Sequence, residues 1–257
     1  MNPSKKLRLG IVSALAEEQA GLIEAMHDPA TLSYGMRTYT GGGLWGIDAV
    51  CVLSHIGKVA AAMTAVTLVE KFEVTHIVFT GVAGSGDAKV RVGDIVVADA
   101  LVQHDMDARP LFPRFEVPLT GLSRFQSDLA LSDALADAAG DFLTRDVASV
   151  LGDAVSKEFG LAHPAMHRGL IGSGDQFIHS RAHLSGLKEA LPDLLAVEME
   201  GAAVAQVCFE LGIPFTVMRT VSDNANEEAP IDFMRFVQTV ASHYAYHVVK
   251  NLCQRLA

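Results

Sequence analysis

Short apolar runs, separated by glycine or polar residues, recur along the chain and predict buried strands. The clearest are Leu-Gly-Ile-Val at 9–12, Ile-Val-Phe at 77–79 and Ile-Val-Val at 95–97. Each is rich in β-branched residues and too short for a helix, which is typical of strands covered on both faces. Similar runs predict further strands at residues 49–54, 168–173, 195–197 and 215–221.

Between these runs, apolar residues recur at helical spacing. Helices are predicted at residues 17–26, 58–71, 129–143, 181–190, 200–211 and 232–256. Alternation of strands and helices indicates an α/β fold with three layers, in which helices flank a central mixed, largely parallel sheet. A chain of 257 residues is long enough for one large core, so we expect a single domain over residues 1–257.

The stretch from His104 to Ser127 departs from this alternation. It contains Pro110, Pro113 and Pro118 among apolar and aromatic residues. These prolines exclude an ordinary central strand or helix. Two interpretations remain open for this segment, a surface excursion or an arm that contacts another subunit.

Charge and hydropathy exclude two classes of partner. Thirty acidic residues against twenty basic residues give a net charge of −10, and this field repels a nucleic-acid backbone. No apolar stretch approaches the ~20 residues that a bilayer span needs. We therefore expect no nucleic-acid and no membrane partner.

The cysteines and the first residues of the chain indicate the cellular compartment of the protein. Cys51, Cys208 and Cys253 are odd in number and lie far apart among apolar neighbours, which suits reduced core thiols. The beginning of the chain lacks the cleavage site of a signal peptide. The expected location is the cytoplasm, without disulfides.

Two motifs with known chemical uses are discounted. Gly41-Gly42-Gly43-Leu44-Trp45-Gly46 has the letters of a dinucleotide-binding loop, but a strand-like run follows it where that motif needs a helix. We interpret it as a turn between two strands. Histidines four residues apart, at 163/167, 179/183 and 243/247, lack a third ligand. We therefore expect neither a metal site nor a cofactor.

Polar and glycine residues follow several predicted strands directly, where open α/β sheets bind ligands. These segments are residues 13–18, 80–84, 172–178, 197–200 and 219–223. They contain carboxylates that suit cleavage of an N-glycosidic bond, a reaction that needs an activated water, a protonated purine and a held ribose.

Three acids are assigned to these tasks. Glu18 is placed to act as a base toward water, Asp223 to donate a proton to the purine, and Glu200 to accept from the ribose hydroxyls. Each also has a purely structural interpretation. Glu18 suits the first turn of a helix, where the helix dipole stabilises an acid, and Asp223 suits a helix cap.

In order and spacing, these segments resemble the nucleoside phosphorylase/nucleosidase superfamily. The resemblance extends from about Leu9 to the last helix and is most specific in Gly-Lys-Val-Ala-Ala-Ala at 57–62, Ser-Gly-Asp-x-Phe at 173–177 and Val-Glu-Met-Glu at 197–200. Within the superfamily the chain is most similar to the methylthioadenosine/S-adenosylhomocysteine nucleosidases. The resemblance implies an N-glycosyl hydrolase that converts 5'-thio-substituted adenosines to adenine and a thioribose.

The resemblance also implies roles for single residues. Glu18 becomes the general base, with Arg219 helping to hold the water, and Asp223 becomes the acid toward purine N7. The other residues expected to bind the nucleoside include Phe177 stacked on adenine, the backbone of Ile178 at the adenine edge, Met199 and Glu200 on the ribose, Ile56 and Phe233 near the ribose and 5'-group, and Ala83, Gly84, Glu198 and Ser222.

Two features depart from the family pattern. Val82 stands where the nucleosidases often have a small hydroxyl residue, which removes one hydrogen bond near the water. The loop from Asp105 to Pro118 is richer in proline than in similar enzymes. The resemblance implies a homodimer in which this loop lies near the neighbouring active site.

Three alternatives remain at this point. A phosphorylase needs donors around a phosphate dianion, whereas the first loop offers Glu17 and Glu18 and the 80–84 segment offers no arginine. A related hydrolase would act on another adenine nucleoside, such as aminodeoxyfutalosine or AMP. A non-catalytic nucleoside-binding relative would retain the fold without the activity.

Overall fold

The computed structural model describes residues 6–257, and ten strands in this part of the chain form one mixed sheet. In chain order the strands are β1 Arg8–Ser13, β2 His27–Tyr34, β3 Arg37–Leu44, β4 Ile47–Leu53, β5 His76–Ser85, β6 Ile95–Gln103, β7 Phe125–Gln126, β8 Met166–Ser173, β9 Leu194–Glu198 and β10 Phe215–Asp223.

Half of the sheet closes on itself. Strand β5 pairs with β10, which pairs with β6, and the sheet continues through β8 and β9 back to β5. Strands β1, β4, β3 and β2 extend from β5 in that order. The pairings β1–β4, β1–β5, β5–β10, β6–β8 and β8–β9 are parallel, and the others are antiparallel. The expected mixed sheet is thus confirmed.

Seven α-helices occur in residues 6–257 and flank the sheet. They are α1 Lys58–Phe72, α2 Leu129–Asp141, α3 Val147–Glu158, α4 Arg181–Ala190, α5 Gly201–Leu211, α6 Ala229–Phe236 and α7 Ser242–Leu256. The π-helical segments Phe142–Asp146 and Val237–Ala241 join α2 to α3 and α6 to α7. None of the helices described is long and apolar enough to cross a membrane.

Two apolar clusters lie on opposite faces of the sheet. One packs α1 and α5 against strand residues such as Phe79 and Val217. The other packs α2, α7 and neighbouring segments against residues such as Ile11 and Val97. Because alternate side chains of a strand point to opposite faces, each buried strand contributes to both clusters. The three-layer α/β fold predicted from the sequence is therefore confirmed.

One predicted helix is wrong. In place of a helix over residues 17–26, only Glu17–Gln19 forms a 3-10 turn, and irregular turns follow it. Gly21 has φ +84°, a left-handed conformation that interrupts a right-handed helix. The early end of this segment keeps Glu18 close to the end of β1.

The glycine-rich motif of β3 is structural. Gly41, Gly42 and Gly43 lie within β3, and the turn to β4 is made by Trp45 and Gly46. A Cβ on Gly42 would lie 2.8 Å from the carbonyl oxygen of His27 in β2. The motif therefore allows close approach of two strands. The predicted turn is shorter than expected, because only Trp45 and Gly46 lie between β3 and β4.

Candidate active site

A cavity of about 330 Å³ opens where several strands end. Glu18, Glu200 and Asp223, the acids singled out from the sequence, all lie on its wall. They come from three distant parts of the chain, after β1, after β9 and at the end of β10. The full lining is Ala14, Leu15, Glu18, Ile56, Val82, Ala83, Gly84, Gln176, Phe177, Ile178, Val197, Glu198, Met199, Glu200, Asp223 and Phe233.

Glu18 is fixed by backbone donors. Its Oε2 accepts from the N–H groups of Ala14 and Leu15, both at 2.9 Å, and its Oε1 accepts from the N–H of Val82 at 3.0 Å. A Cβ on Gly81 would lie 2.9 Å from Oε1, so only glycine fits there. Burial raises the pKa of Glu18, although nearby Arg219 and the backbone donors act in the opposite direction. A buried carboxylate with a raised pKa is suited to take a proton.

Asp223 ends β10 in a buried position. Its Oδ1 accepts from the N–H of Ala225 at 2.9 Å, and its Oδ2 lies 2.8 Å from the Ser222 hydroxyl oxygen. Burial raises the pKa of Asp223 above its ordinary value. Because helix α6 begins only at Ala229 and is preceded by Glu228, Asp223 is not the cap of that helix.

The Ser222 hydroxyl adds a constraint on the Asp223 proton. Its oxygen also lies 3.2 Å from the carbonyl oxygen of Ala83, but a hydroxyl has one hydrogen to donate. When Ser222 donates to Ala83, the contact with Asp223 is satisfied by a proton on the carboxyl group. Burial, the larger effect, raises the pKa of Asp223 while the Ala225 N–H and the Ser222 hydroxyl lower it, which suits an acid that is protonated before reaction.

Glu200 lies just before α5 and faces the segment that leads into α1. Its Oε1 accepts from the N–H of Gly57 at 2.8 Å, and its Oε2 is 3.9 Å from Nη2 of Arg219. Burial, together with the charge of Glu198, raises the pKa of Glu200 to about 8. Because only the Gly57 N–H donates to it within residues 6–257, the Glu200 carboxyl group can form further hydrogen bonds, and Glu200 lines the cavity.

Arg219 lies behind this wall rather than on it. The guanidinium is 1% exposed and stacks 4.1 Å from the ring centroid of Phe79. Its Nε and Nη2 donate to Oε2 of Glu198 at 3.1 and 2.5 Å. The predicted catalytic arginine is thus engaged in a buried ion pair close to the acids.

Apolar residues form the rest of the cavity. Phe177, after β8, meets Phe233 of α6 edge to face with ring centroids 5.6 Å apart. Phe177 is 40% exposed and Ile56 is 56% exposed, whereas Ile178 is buried. Aromatic and aliphatic walls with a few polar groups are typical of pockets for small organic ligands.

The residues predicted from the sequence fall into two groups. Of the thirteen, Arg219 and Ser222 are buried behind the cavity and the others line it. Lining residues that were not predicted to bind the nucleoside are Ala14, Leu15, Val82, Gln176 and Val197. All five lie inside segments recognised at strand ends, but Ala14, Leu15, Val82 and Val197 are apolar and carry no chemical signal.

The residues discounted as ligands stay outside this site. No group of three or more histidine, cysteine, aspartate or glutamate side chains in residues 6–257 could hold a metal ion. Cys51, Cys208 and Cys253 are free and buried, and burial raises the pKa of each thiol. None of the three is a nucleophile of this cavity.

Comparison with known proteins gives one consistent group of relatives. Residues 8–253 match the sequence profile of the phosphorylase superfamily. A 5'-methylthioadenosine/S-adenosylhomocysteine nucleosidase of Shewanella frigidimarina is 33% identical over 248 residues, which is 96% of this chain and 100% of that protein. The matched residues 8–253 include every residue that lines the cavity.

Solved structures agree with the sequence relatives. The nucleosidase of the same kind from Neisseria meningitidis, in complex with methylthio-immucillin-A, superposes with a TM-score of 0.85 at 32% identity and covers 96% of this chain and 99% of its own. A futalosine hydrolase of Helicobacter pylori superposes with a TM-score of 0.80 at 31% identity, covering 95% of this chain and 97% of its own.

Proposed function

The chain belongs to the phosphorylase superfamily and to its 5'-methylthioadenosine/S-adenosylhomocysteine nucleosidases, and from this premise we propose that it hydrolyses 5'-thio-substituted adenosines. The products are adenine and a thioribose. The observation that carries the proposal is that Glu18, Glu200 and Asp223 line one cavity together with Phe177 and Phe233.

The reaction requires two proton transfers. Water attacks the anomeric carbon of the ribose while its proton passes to Glu18. The bond to purine N9 breaks, and the leaving purine receives a proton from Asp223 at N7. Proton donation to a leaving group and removal from a nucleophile each contribute about 10²–10⁴-fold to a rate.

Binding residues hold the nucleoside during this exchange. We assign Phe177 to stacking on the adenine ring and the backbone of Ile178 to its edge. Glu200 accepts from the ribose hydroxyls beside Met199, and Ala83 and Gly84 line the same wall. Oxocarbenium character on the ribose is favoured beside these carboxylates.

The electrostatics of the cavity favour water over phosphate. The ionisable side chains on its wall are all carboxylic acids, Glu18, Glu198, Glu200 and Asp223. Arg219, the neighbouring cation, is paired with Glu198. Among the residues described, this wall therefore offers a phosphate dianion no unpaired cation to bind it.

The cavity also favours an apolar 5'-group over a charged one. Ile56, Phe233 and Leu15 lie on its wall, and no lysine or arginine in the described part of the chain lines it. A 5'-phosphate needs such a cation, so AMP is disfavoured and a thioether is accommodated. Val82 presents only methyl groups beside Glu18, so the water depends on Glu18 and on groups of the substrate.

We further propose that residues 1–257 form one domain that works as a homodimer in the cytoplasm. The exposed apolar side chains Val59, Met63 and Val66 recur along one face of α1, and Leu111 in the Asp105 to Pro118 loop is 84% exposed. A second copy of the chain would cover these apolar surfaces. The loop would then lie near the neighbouring active site.

Adenine release from a panel of adenosines tests the activity. The panel contains methylthioadenosine, S-adenosylhomocysteine, adenosine, AMP and aminodeoxyfutalosine, each with and without phosphate. We expect cleavage of the thioethers without phosphate and little cleavage of AMP. Turnover that requires phosphate would contradict the proposal. Preferred cleavage of aminodeoxyfutalosine would show that the chain is instead the related hydrolase that acts on this nucleoside.

A further inference from the structure

Glu198 lines the cavity but has no free hydrogen-bonding capacity to offer a ligand. Its oxygens accept from the N–H groups of Glu200 and Gly201 at 3.1 and 2.8 Å. They also accept from the Ser173 hydroxyl and from two guanidinium nitrogens of Arg219. A carboxylate has about four lone-pair sites, so five donors leave none for the ribose.

These contacts connect four elements of the closed part of the sheet. Ser173 ends β8, Glu198 ends β9, Arg219 lies in β10, and Gly201 begins α5. The Ser173 hydroxyl oxygen also accepts from the N–H of Ala202 at 2.7 Å. Glu198 therefore fixes both Arg219 and the first turn of the helix that follows Glu200.

The positive charge of Arg219 and the carboxylates around it determine the chemical effect of these contacts. Arg219 acts electrostatically on Glu18, Glu198 and Glu200. Glu198 contacts the guanidinium at 2.5 Å, whereas Glu200 lies at 3.9 Å. Because every contact of Glu198 is with a donor, it holds the negative charge that offsets Arg219.

We propose that Glu198 is a positioning residue, which holds Arg219 and compensates its charge so that Glu18 and Glu200 face the nucleoside without a competing cation. This inference rests on the proposed function. It assigns Glu198 a task different from substrate binding, because its effect on the reaction passes through Arg219.

The expected effect of losing the Glu198 charge has a definite sign. With glutamine at 198, the Arg219 charge is no longer offset and acts fully on the two remaining carboxylates. A cation within about 4–6 Å lowers the pKa of a carboxyl group by 1–3 units. Glu200 loses in addition the repulsion of Glu198 that helps to raise its pKa. The groups facing Glu200 are Glu198, Arg219 and Glu18.

The pH dependence of Glu198→Gln tests the inference. We expect the acidic limb of the kcat/KM profile for methylthioadenosine to move to lower pH by about one unit. Ser173→Ala is the matched control, because it removes a neutral contact with the same carboxylate and keeps the charge. Its acidic limb should coincide with that of the wild type. Coincident limbs for Glu198→Gln and the wild type would overturn the inference.

A paired substitution keeps the test decisive if Glu198→Gln fails to fold. Glu198→Gln with Arg219→Met removes both charges of the buried pair, which proteins tolerate better than loss of one partner. The pKa of Glu200 in this double variant, followed by carboxyl ¹³C titration, should lie within about half a unit of the wild type, because the opposing effects of Glu198 and Arg219 are lost together. A shift as large as one unit would show that the two charges do not offset each other.

A readout without turnover separates this inference from the proposed function. Carboxyl ¹³C titration of Glu200 should show a lower pKa in Glu198→Gln than in the wild type. If the wild type releases no adenine, the proposed function fails, while the titration still decides the role of Glu198. An unchanged Glu200 titration would reject that role even in an active enzyme.

Discussion

At the scale of single residues, the site depends on acids whose surroundings differ. Glu18 accepts from three backbone N–H groups, whereas Asp223 accepts from one and contacts a hydroxyl group. Burial raises the pKa of both. Separate environments allow two carboxyl groups in one cavity to serve as base and acid.

Asp223→Asn tests the proposed acid. Asparagine retains an oxygen for the Ala225 N–H but cannot transfer a proton to the purine. We expect the hydrolysis rate to fall by at least ~100-fold with little change in stability. Asp137→Asn, the same chemical change at an exposed position of α2, is the control. A rate of Asp223→Asn equal to that of the wild type would remove Asp223 from the mechanism.

Glu200→Gln tests the buried state of the ribose-facing acid. The folded-state pKa of Glu200, about 8, exceeds its ordinary value of 4.5. The stability linked to its protonation is therefore full below about pH 4.5 and is lost as the pH rises through about 8. Glutamine does not titrate. The melting temperature of the variant should therefore rise relative to that of the wild type as the pH is raised from about 4.5 to about 8.

Calorimetry of the unliganded proteins at several pH values measures this difference. Glu17→Gln removes an exposed carboxylate one position before Glu18 and serves as the control. A difference between Glu200→Gln and the wild type that does not change with pH would contradict the assigned environment of Glu200.

At the scale of elements, loops around α1 are tied to the cavity by one polar cluster. The Lys58 ammonium donates to Asp105 at 2.7 Å, and the Lys58 N–H donates to Asp175 at 2.8 Å. The Asp175 N–H donates in turn to Asp105 at 3.0 Å. Because Gly57 precedes Lys58 and donates to Glu200, this cluster is connected to the side of the cavity that we propose binds the ribose.

Lys58→Met tests that connection. The substitution leaves Asp105 partly buried without its cation, and a charged hydrogen bond contributes about 1.5–3 kcal/mol. We expect KM for methylthioadenosine to rise by about tenfold with a smaller effect on kcat. Lys71→Met, at the exposed end of the same helix, should leave KM unchanged. Equal KM values for both variants and the wild type would exclude the cluster from substrate binding.

The sequence predicts elements where one local pattern dominates. Strands such as β5 and β6 and helix α4 follow from apolar runs or helical spacing. Strand β2 was not predicted, because every one of its residues is exposed and no apolar period marks it. The glycine motif was interpreted as a turn, although Gly41–Leu44 belong to β3. The helix predicted at residues 17–26 does not continue through Gly21, because the left-handed φ of this residue depends on the packing around it.

The sequence predicted the acids of the candidate site but not the contacts between them and their neighbours. The acids were identified because polar residues directly follow several predicted strands in succession, although each acid also had a structural interpretation. The engagement of Glu198 with Arg219 and the burial of Ser222 depend on distances between β8, β9 and β10, which no local pattern contains. Contacts across the closed part of the sheet therefore required the structure.

At the scale of the whole molecule, closure of β5, β10, β6, β8 and β9 brings distant strand ends around one cavity. An open sheet would spread these ends along one edge. The extension through β1 and β4 adds Glu18 and the segment before α1. The architecture thus explains how acids more than two hundred positions apart share a pocket.

Val59→Asp tests the proposed homodimer. Val59 is 82% exposed on α1, and a charge there opposes burial against a second copy. We expect the wild type to sediment as a dimer at micromolar concentration and the variant to shift toward monomer. Leu129→Asp, at an exposed apolar position on another helix, is the control. A monomeric wild type would contradict the proposed role of the Asp105 to Pro118 loop.

Isotope transfer from solvent tests the central claim that this cavity carries out hydrolysis. Methylthioadenosine is incubated with the wild type in H₂¹⁸O without phosphate for a time short against anomeric oxygen exchange, which is measured on unlabelled methylthioribose, and the product masses are determined by mass spectrometry. We predict unlabelled adenine together with methylthioribose that contains one ¹⁸O atom at the anomeric carbon. Absence of cleavage, or cleavage only with phosphate to give a sugar phosphate, would contradict the account.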